Sequence, residues 1–128
     1  MVTAITQGIK ISVDTRYRPD HSNPANGHYV FAYHIRIDNF SENTVQLLSR
    51  QWLIFDSEGS HRQVEGDGVV GEQPIIAPGQ SYSYVSGCNL HTDMGSMRGH
   101  YTMLRQNDES TFRVDIPEFQ LVAPHRLN

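Results

Sequence analysis

Strict alternation of apolar and polar residues marks the clearest element of the chain, between His28 and Phe40. One parity is apolar and aromatic, at Tyr29, Phe31, Tyr33, Ile35 and Ile37, and the other carries most of the polar positions, at His34, Arg36 and Asp38. A period of two places successive side chains on opposite faces, so this pattern predicts a half-buried β-strand. The segment from Ile5 to Tyr17 alternates in the same way and predicts another strand.

Two segments fit a helical period as well as they fit a strand. In residues 44–56 the strand interpretation needs one extra residue near Leu47 and Leu48, which a β-bulge supplies. We favour the strand because a good hairpin turn follows this segment. In residues 94–104, Gly95 and Gly99 would each cost a helix about 1 kcal/mol, so we predict a strand there as well.

The remaining alternating segments predict an all-β fold. Short strands are expected at residues 61–65, 80–88, 112–116 and 119–121, with Pro117 breaking the chain between the last two. Eight or nine strands separated by turns predict an antiparallel β-sandwich in a single domain, residues 1–128. Cys88 is the only cysteine, so no intrachain disulfide can form, and among immunoglobulin-like sandwiches a fibronectin type III-like one is the better match.

Charge and composition exclude several classes of protein. The net charge of −4 argues against a polycation that coats nucleic acid or an anionic membrane. The longest apolar run, Tyr29 to Tyr33, is too short for a membrane span or a signal peptide. Trp52 is expected in the core, although a strand that is apolar on both parities also fits a patch for a protein partner.

A glycine-rich segment matches the dinucleotide-binding pattern letter for letter, at Gly66, Asp67, Gly68, Val69, Val70 and Gly71. Diphosphate binding by such a segment needs a helix N-terminus behind the glycines. Two prolines follow within residues 72–79, so no helix is expected there, and we interpret the segment as a crossing between strands that needs positive φ angles. A backbone nest for a small anion, or a nucleotide diphosphate site, is kept as the alternative.

A weak metal-binding pattern lies further along the chain. His91 and Asp93 would face the same side of an extended segment, and His100 lies close in sequence, so these three are the candidate metal ligands. Cys88 near His91 also resembles a nucleophile with its base, but a buried structural thiol is the favoured interpretation. No serine-hydrolase elbow, phosphate-binding Walker loop or zinc-protease motif is present.

Taken together, these motifs resemble the ApaG family over nearly the whole chain. The segments that carry the resemblance are Leu47–Arg50, Trp52, Val64–Pro74, Ala77–Gly79, Tyr84–Gly87, Met94–Met103 and Val114–Pro117. Asp93 departs from the family pattern, because relatives often carry proline before the Gly-x-Met segment. The chain is therefore identified as a member of the ApaG family, whose pattern differs here at that one turn.

The resemblance implies a fibronectin type III-like sandwich and a small bacterial cytoplasmic protein linked to cobalt resistance and magnesium efflux. It also implies a protein-interaction module, since similar domains occur in eukaryotic F-box and polymerase-interacting proteins. It supplies no catalytic residue and no cofactor. We therefore expect a non-enzymatic module that binds an unidentified protein partner, with small-anion binding as the second hypothesis and direct metal sensing as the third. Edge strands could also pair two copies into a homodimer.

Overall fold

The structure, a computed structural model, describes residues 1–124 and contains nine β-strands. A short 3-10 turn, Pro24–Asn26, lies in the long loop before the third strand. The strands in chain order are β1 Val2–Thr6, β2 Ile9–Tyr17, β3 Tyr29–Asn39, β4 Val45–Asp56, β5 His61–Asp67, β6 Ile75–Ile76, β7 Ser81–Leu90, β8 Met94–Arg105 and β9 Thr111–Val122. None of the described residues forms a helix long and apolar enough to cross a membrane.

Two antiparallel sheets face each other. The first sheet has the order β1-β2-β3-β7, and the second has the order β5-β4-β8-β9, with the short β6 paired to the start of β4. Every pairing is antiparallel. The predicted all-β, fibronectin type III-like sandwich is therefore confirmed, and both segments that also fitted a helix are strands.

The core is formed by the apolar parities that the sequence pattern indicated. Trp52 is only 2% exposed and meets Tyr33 edge-on, with ring centroids 5.5 Å apart. Phe119 closes the same cluster at 5.8 Å from Trp52. Three aromatic rings from both sheets thus interlock at the centre of the sandwich, which confirms Trp52 as a core residue.

Two local predictions about strand boundaries were wrong. The segment from Ile5 to Tyr17 is a hairpin rather than one strand, because Gln7 and Gly8 take positive φ angles of 49° and 83° and reverse the chain. Pro117 does not break the last strand, since β9 runs through it to Val122. The pairing with β8 shifts there, so a residue without an N–H lies where the ladder of hydrogen bonds is already interrupted.

The bulge predicted in β4 is confirmed, because its register against β8 shifts between Leu47 and Ser49. This shift changes which parity of β4 faces the core. Val45 and Leu47 are buried before the bulge, and Trp52 and Ile54 are buried after it. Arg50 shares the parity of Trp52 and Ile54, so the bulge directs an arginine toward the inner face of the sheet.

The two sides of the sandwich differ in how they are closed. On one side β1 lies against β9, where the Asp115 amide donates to Thr6 Oγ1 at 3.3 Å and Arg105 bonds to the Gln7 side chain. On the other side the neighbouring edges are β7 from the first sheet and β5 from the second. No pairing joins β7 to β5 among residues 1–124, so a cleft remains between these two strands.

Candidate functional site

The glycine-rich segment forms a tight turn at one end of the cleft. Val69 and Glu72 exchange two backbone hydrogen bonds of 2.8 and 2.9 Å, and Val70 and Gly71 between them have φ angles of 49° and 78°. Positive φ at both central residues is typical of a tight hairpin turn. The chain thus reverses where a dinucleotide-binding protein would begin a helix, as the two prolines indicated.

The backbone amides of this turn are largely engaged within the protein. The Gly68 amide donates to the Leu48 carbonyl at 2.8 Å, and the amides of Val69 and Glu72 bond across the turn. An anion nest needs several amides that converge on one external point. Anion binding by residues 66–71 alone stays a prediction, and the geometry of the turn adds no support to it.

Two glycines of the segment are required for close approaches of other groups. A Cβ on Gly68 would lie 2.1 Å from the Glu72 carbonyl oxygen, and its φ of 62° already disfavours other residues. A Cβ on Gly66 would lie 2.9 Å from both terminal nitrogens of Arg50. The missing side chain at Gly66 therefore makes room for the Arg50 guanidinium.

Arg50 is held by the turn that Gly66 precedes. Its Nη1 donates to the Asp67 carbonyl at 3.0 Å and to the Gly68 carbonyl at 2.9 Å. Two fixed acceptors on one nitrogen orient the planar guanidinium group. Arg50 was not among the site residues predicted from the sequence, although a charged residue on the buried parity of a strand was the signal that could have found it.

The cleft between β7 and β5 contains two adjoining cavities. One has a volume of about 280 Å³ and lies beside the turn, and the other has a volume of about 350 Å³ and lies further along β5. Both are lined by Tyr33, Arg50 and Ser86. The cleft is therefore continuous, with aromatic side chains as its floor and arginine at its wall.

A second arginine crosses the far end of the cleft. Arg62 Nη2 donates to the Asn89 carbonyl at 2.5 Å and contacts the Cys88 sulfur at 3.6 Å. Burial raises the pKa of the Cys88 thiol, although the charge of Arg62 acts in the opposite direction. Cys88 is only 7% exposed, so it is a buried, protonated thiol and a poor nucleophile.

Buried tyrosines form the polar part of the cleft floor. The hydroxyl groups of Tyr84 and Tyr101 lie 2.5 Å apart, and Tyr33 has a hydrogen bond with Ser86. Burial raises the pKa of all three tyrosines, and the nearby charge of Arg50 only partly offsets this effect. The tyrosines are therefore neutral at pH 7. The charged residues that line the cleft are Arg50 and Arg62, together with Asp67 beside the turn.

The three candidate metal ligands are not brought together. His91 and Asp93 lie in the turn between β7 and β8, whereas His100 lies in the middle of β8. Seven residues of extended strand separate Asp93 from His100, about 23 Å. Across residues 1–124 no group of three or more His, Cys, Asp or Glu side chains could hold a metal ion.

A buried carboxylate that was not among the predicted site residues organises the turn between β7 and β8. Asp56 is 4% exposed, and one of its oxygens accepts a hydrogen bond from the His91 amide at 2.6 Å. Its other oxygen accepts from the Thr92 hydroxyl. His91 therefore contributes its backbone to this turn, while its side chain is exposed.

Asp38 forms a separate polar cluster at the edge of the first sheet. Its Oδ1 accepts hydrogen bonds from Arg36 Nε at 2.9 Å and from the Ser81 hydroxyl. Burial by itself would raise the pKa of Asp38, but these hydrogen bonds and the charge of Arg36 outweigh it and lower the pKa below the ordinary 3.8. The cluster fastens β7 to β3 at one end of the edge strand.

Comparisons with known proteins identify one family. A model of the ApaG domain matches residues 19–105. The protein ApaG of Vibrio cholerae is 52% identical over 120 residues, which is 94% of each chain. That of Anaeromyxobacter dehalogenans is 46% identical over 128 residues, which is all of both chains.

The fold is also found in solved structures. A crystal structure described as that of an ApaA protein from Bordetella pertussis superposes with a TM-score of 0.87 at 45% identity, covering 91% of this chain and 94% of that one. The C-terminal domain of wzt superposes with a TM-score of 0.51 at only 10% identity, so that likeness extends to the fold alone.

Proposed function

The chain belongs to the ApaG domain family, and on that basis we propose that it is a non-enzymatic binding module that engages a protein partner through the outer edge of β7. The observation that carries the proposal is that this edge lacks the features that protect edge strands from pairing. All ten residues of β7 are uncharged, none is proline, and those from Ser81 to Leu90 pair with β3 without a register shift. Natural sheets protect such edges because an unpaired strand readily accepts another strand.

The other edges of the sandwich carry the protection that β7 lacks. The second sheet ends at β5, which carries charged side chains, and at β9, which is interrupted by its bulge at Pro117. The first sheet ends at β1, which is five residues long and lies against β9. Among residues 1–124 no other segment bonds to the backbone of β7 from Tyr82 to Cys88 on its outer side.

A further observation favours binding over catalysis. The cleft beside β7 holds neutral tyrosines and a thiol whose pKa is raised by burial, which makes Cys88 a weak nucleophile. The family resemblance also implies a link to cobalt resistance and magnesium efflux, and we propose that this link acts through the partner. We expect the partner, like this chain, to be cytoplasmic.

The proposal is tested by photo-crosslinking from the edge strand in the native cell. A benzoylphenylalanine residue replaces Val85, which is 60% exposed in the middle of β7. The matched control carries the same residue in place of Ile5, which is 66% exposed on the opposite edge strand β1. We expect one discrete adduct from position 85 and none from position 5, and mass spectrometry should place the captured protein across β7.

The supporting result also requires reconstitution. The captured protein, once purified, should bind the full chain and should protect the outer amides of β7 from hydrogen exchange. Equal adducts from both positions, or protection that falls on another strand, would overturn the proposal. An adduct made only of two copies of this chain would show instead that β7 forms a homodimer.

A further inference from the structure

The cleft carries two arginine guanidinium groups without a carboxylate partner. Among residues 1–124 no Asp or Glu oxygen lies within 4.0 Å of Arg50 or Arg62. Arg18, Arg36 and Arg113 each contact a carboxylate at 2.9 to 3.0 Å. The other described arginines without a carboxylate lie elsewhere: Arg16 and Arg98 are exposed, and Arg105 stacks on Phe112. Arg50 and Arg62 differ from these because both line the same cleft, and two guanidinium groups without a carboxylate in one cleft favour an anionic ligand.

Arg50 has the geometry of a preset carboxylate receptor. Its Nη1 is occupied by two backbone carbonyls, whereas its Nε and Nη2 have no partner in residues 1–124. In Arg18, the corresponding Nε and Nη2 atoms donate to the two carboxylate oxygens of Asp20, at 3.1 and 2.9 Å. The free edge of Arg50 is therefore the edge that binds a carboxylate with two parallel hydrogen bonds.

The pairing register of β4 and β5 sets the distance between the two arginines. Gly66 pairs with Arg50, whose guanidinium lies over it, and Arg62 pairs with Ile54. The two cationic positions are thus four residues apart along β5, about 13 Å for an extended strand. Val64 lies between them on the same face and pairs with the core residue Trp52.

A strand added to the outer edge of β7 would face Arg50, Val64 and Arg62 across the cleft. Side chains of an extended peptide alternate, so its residues i, i+2 and i+4 would point toward β5. Residues i and i+4 are also about 13 Å apart, which matches the spacing of the two arginines. The central residue i+2 would lie over Val64, which is 36% exposed.

We propose that β7 and the arginines of the cleft together recognise an extended acidic peptide of a partner protein, with Asp or Glu at positions i and i+4 and an apolar residue at i+2. This inference rests on the proposed function and names the chemistry of the partner. Backbone hydrogen bonds from β7 supply affinity, and Arg50, Arg62 and Val64 supply specificity. Charge complementarity also steers the encounter, so binding weakens as the salt concentration rises.

The test uses fluorescence polarisation with the full chain and short labelled peptides of one composition. Each peptide has two Glu and one Val in a Thr background, and only the order differs. Glu residues at i and i+4 around a central Val should bind best, because both carboxylates then face the cleft. Glu residues at i and i+3 point to opposite faces of the strand. The peptide with this order should therefore bind about tenfold more weakly.

Matched protein variants test the arginines. Arg50→Gln and Arg62→Gln should each weaken the i, i+4 peptide about tenfold. Arg98→Gln removes the same charge from the exposed outer face of the second sheet, and should change affinity less than about twofold. Arg62→Lys keeps the positive charge but lacks the planar pair of N–H donors. It should therefore bind the peptide more tightly than Arg62→Gln but more weakly than the original chain.

Several outcomes would overturn this inference. They are equal affinity for the i, i+3 and i, i+4 peptides, equal losses in Arg98→Gln and Arg62→Gln, or no binding of any peptide at about 1 mM. Displacement of the peptide by glutarate or inorganic phosphate at concentrations well below 1 mM would mark a site for small anions instead. If the crosslinked partner contacts β7 through a neutral segment, the acidic specificity fails while the binding module stands.

Discussion

Replacement of Gly99 by alanine is the sharpest test of how closely β4 and β8 approach. Gly99 pairs with Trp52 of β4 and lies at the point where the register between β8 and β9 shifts. A Cβ at this position would lie 2.0 Å from the Gln51 carbonyl oxygen and 3.0 Å from the Gln51 carbonyl carbon. Ordinary contacts begin near 3.4 Å, so the two strands would have to separate by roughly 1 Å or more.

The position of these strands makes that separation costly. In the second sheet β4 is paired with β5 and β8, and β8 is paired with β4 and β9, so neither strand can move without disturbing a neighbour. Overpacking of this kind costs about 1–3 kcal/mol, and each weakened ladder hydrogen bond adds about 0.5–1.5 kcal/mol. We therefore expect Gly99→Ala to lower the free energy of unfolding by about 3 kcal/mol or more.

Urea unfolding followed by tryptophan fluorescence measures this directly. Trp52 is the only tryptophan, it is 2% exposed, and it pairs with Gly99. The control is Gly87→Ala on the edge strand, where a new Cβ would lie 3.5 Å from the nearest atom, the Phe31 carbonyl oxygen. That variant should be neutral or more stable by about 0.5–1 kcal/mol, because alanine restricts the unfolded chain.

A free energy of unfolding for Gly99→Ala within about 1 kcal/mol of that of the original chain, with an unchanged dependence on urea concentration, would refute this prediction. Such a result would mean that the bulge between β8 and β9 absorbs the added carbon. A loss of equal size in Gly87→Ala would also refute it, because the effect would then follow from removing a glycine rather than from the approach of Gln51.

Three further predictions concern the cleft and its surroundings. Gly66→Ala should displace the Arg50 guanidinium from its two carbonyl acceptors, which should lower the free energy of unfolding in urea by about 1–3 kcal/mol and weaken binding of the acidic peptide as Arg50→Gln does. Because the pKa of Asp38 is lowered by folding, its stabilisation is present above pH 3.8 and is lost as the pH falls through the folded value; Asp38→Asn should flatten stability curves measured across that range. Cys88 should react with a disulfide reagent at least about tenfold faster in urea than in the native protein, and equal rates would contradict its burial.

The alternation of side chains was sufficient to predict the class of fold. The parity of residues 28–40 predicted β3, and the parity change near Leu47 predicted the bulge, because the direction of a side chain along a strand is a local property. The same local rule placed Trp52 in the core. Glycine and proline spacing was likewise sufficient to exclude a helix after Gly71, since both act through the conformation of their own residue.

Alternation did not reveal the hairpin at Gln7 or the passage of β9 through Pro117. A two-residue turn interrupts the pattern so briefly that it resembles a continuous strand. The effect of a proline depends on whether its position needs a ladder hydrogen bond, which the opposing strand decides. Arg50 was visible in the sequence as a charge on a buried parity, but its two carbonyl acceptors follow from the fold of the turn.

The chain by itself thus determined most of the strands, their buried faces and the class of fold, because these depend on neighbours within a few residues. Tertiary structure alone decided that β7 and β5 leave an open side and that Arg50 and Arg62 both face it. It also separated His100 from His91, which sequence proximity had grouped. The physical reason is that sheet order and register arise from pairings between distant segments, and no local pattern encodes which strand ends at an edge.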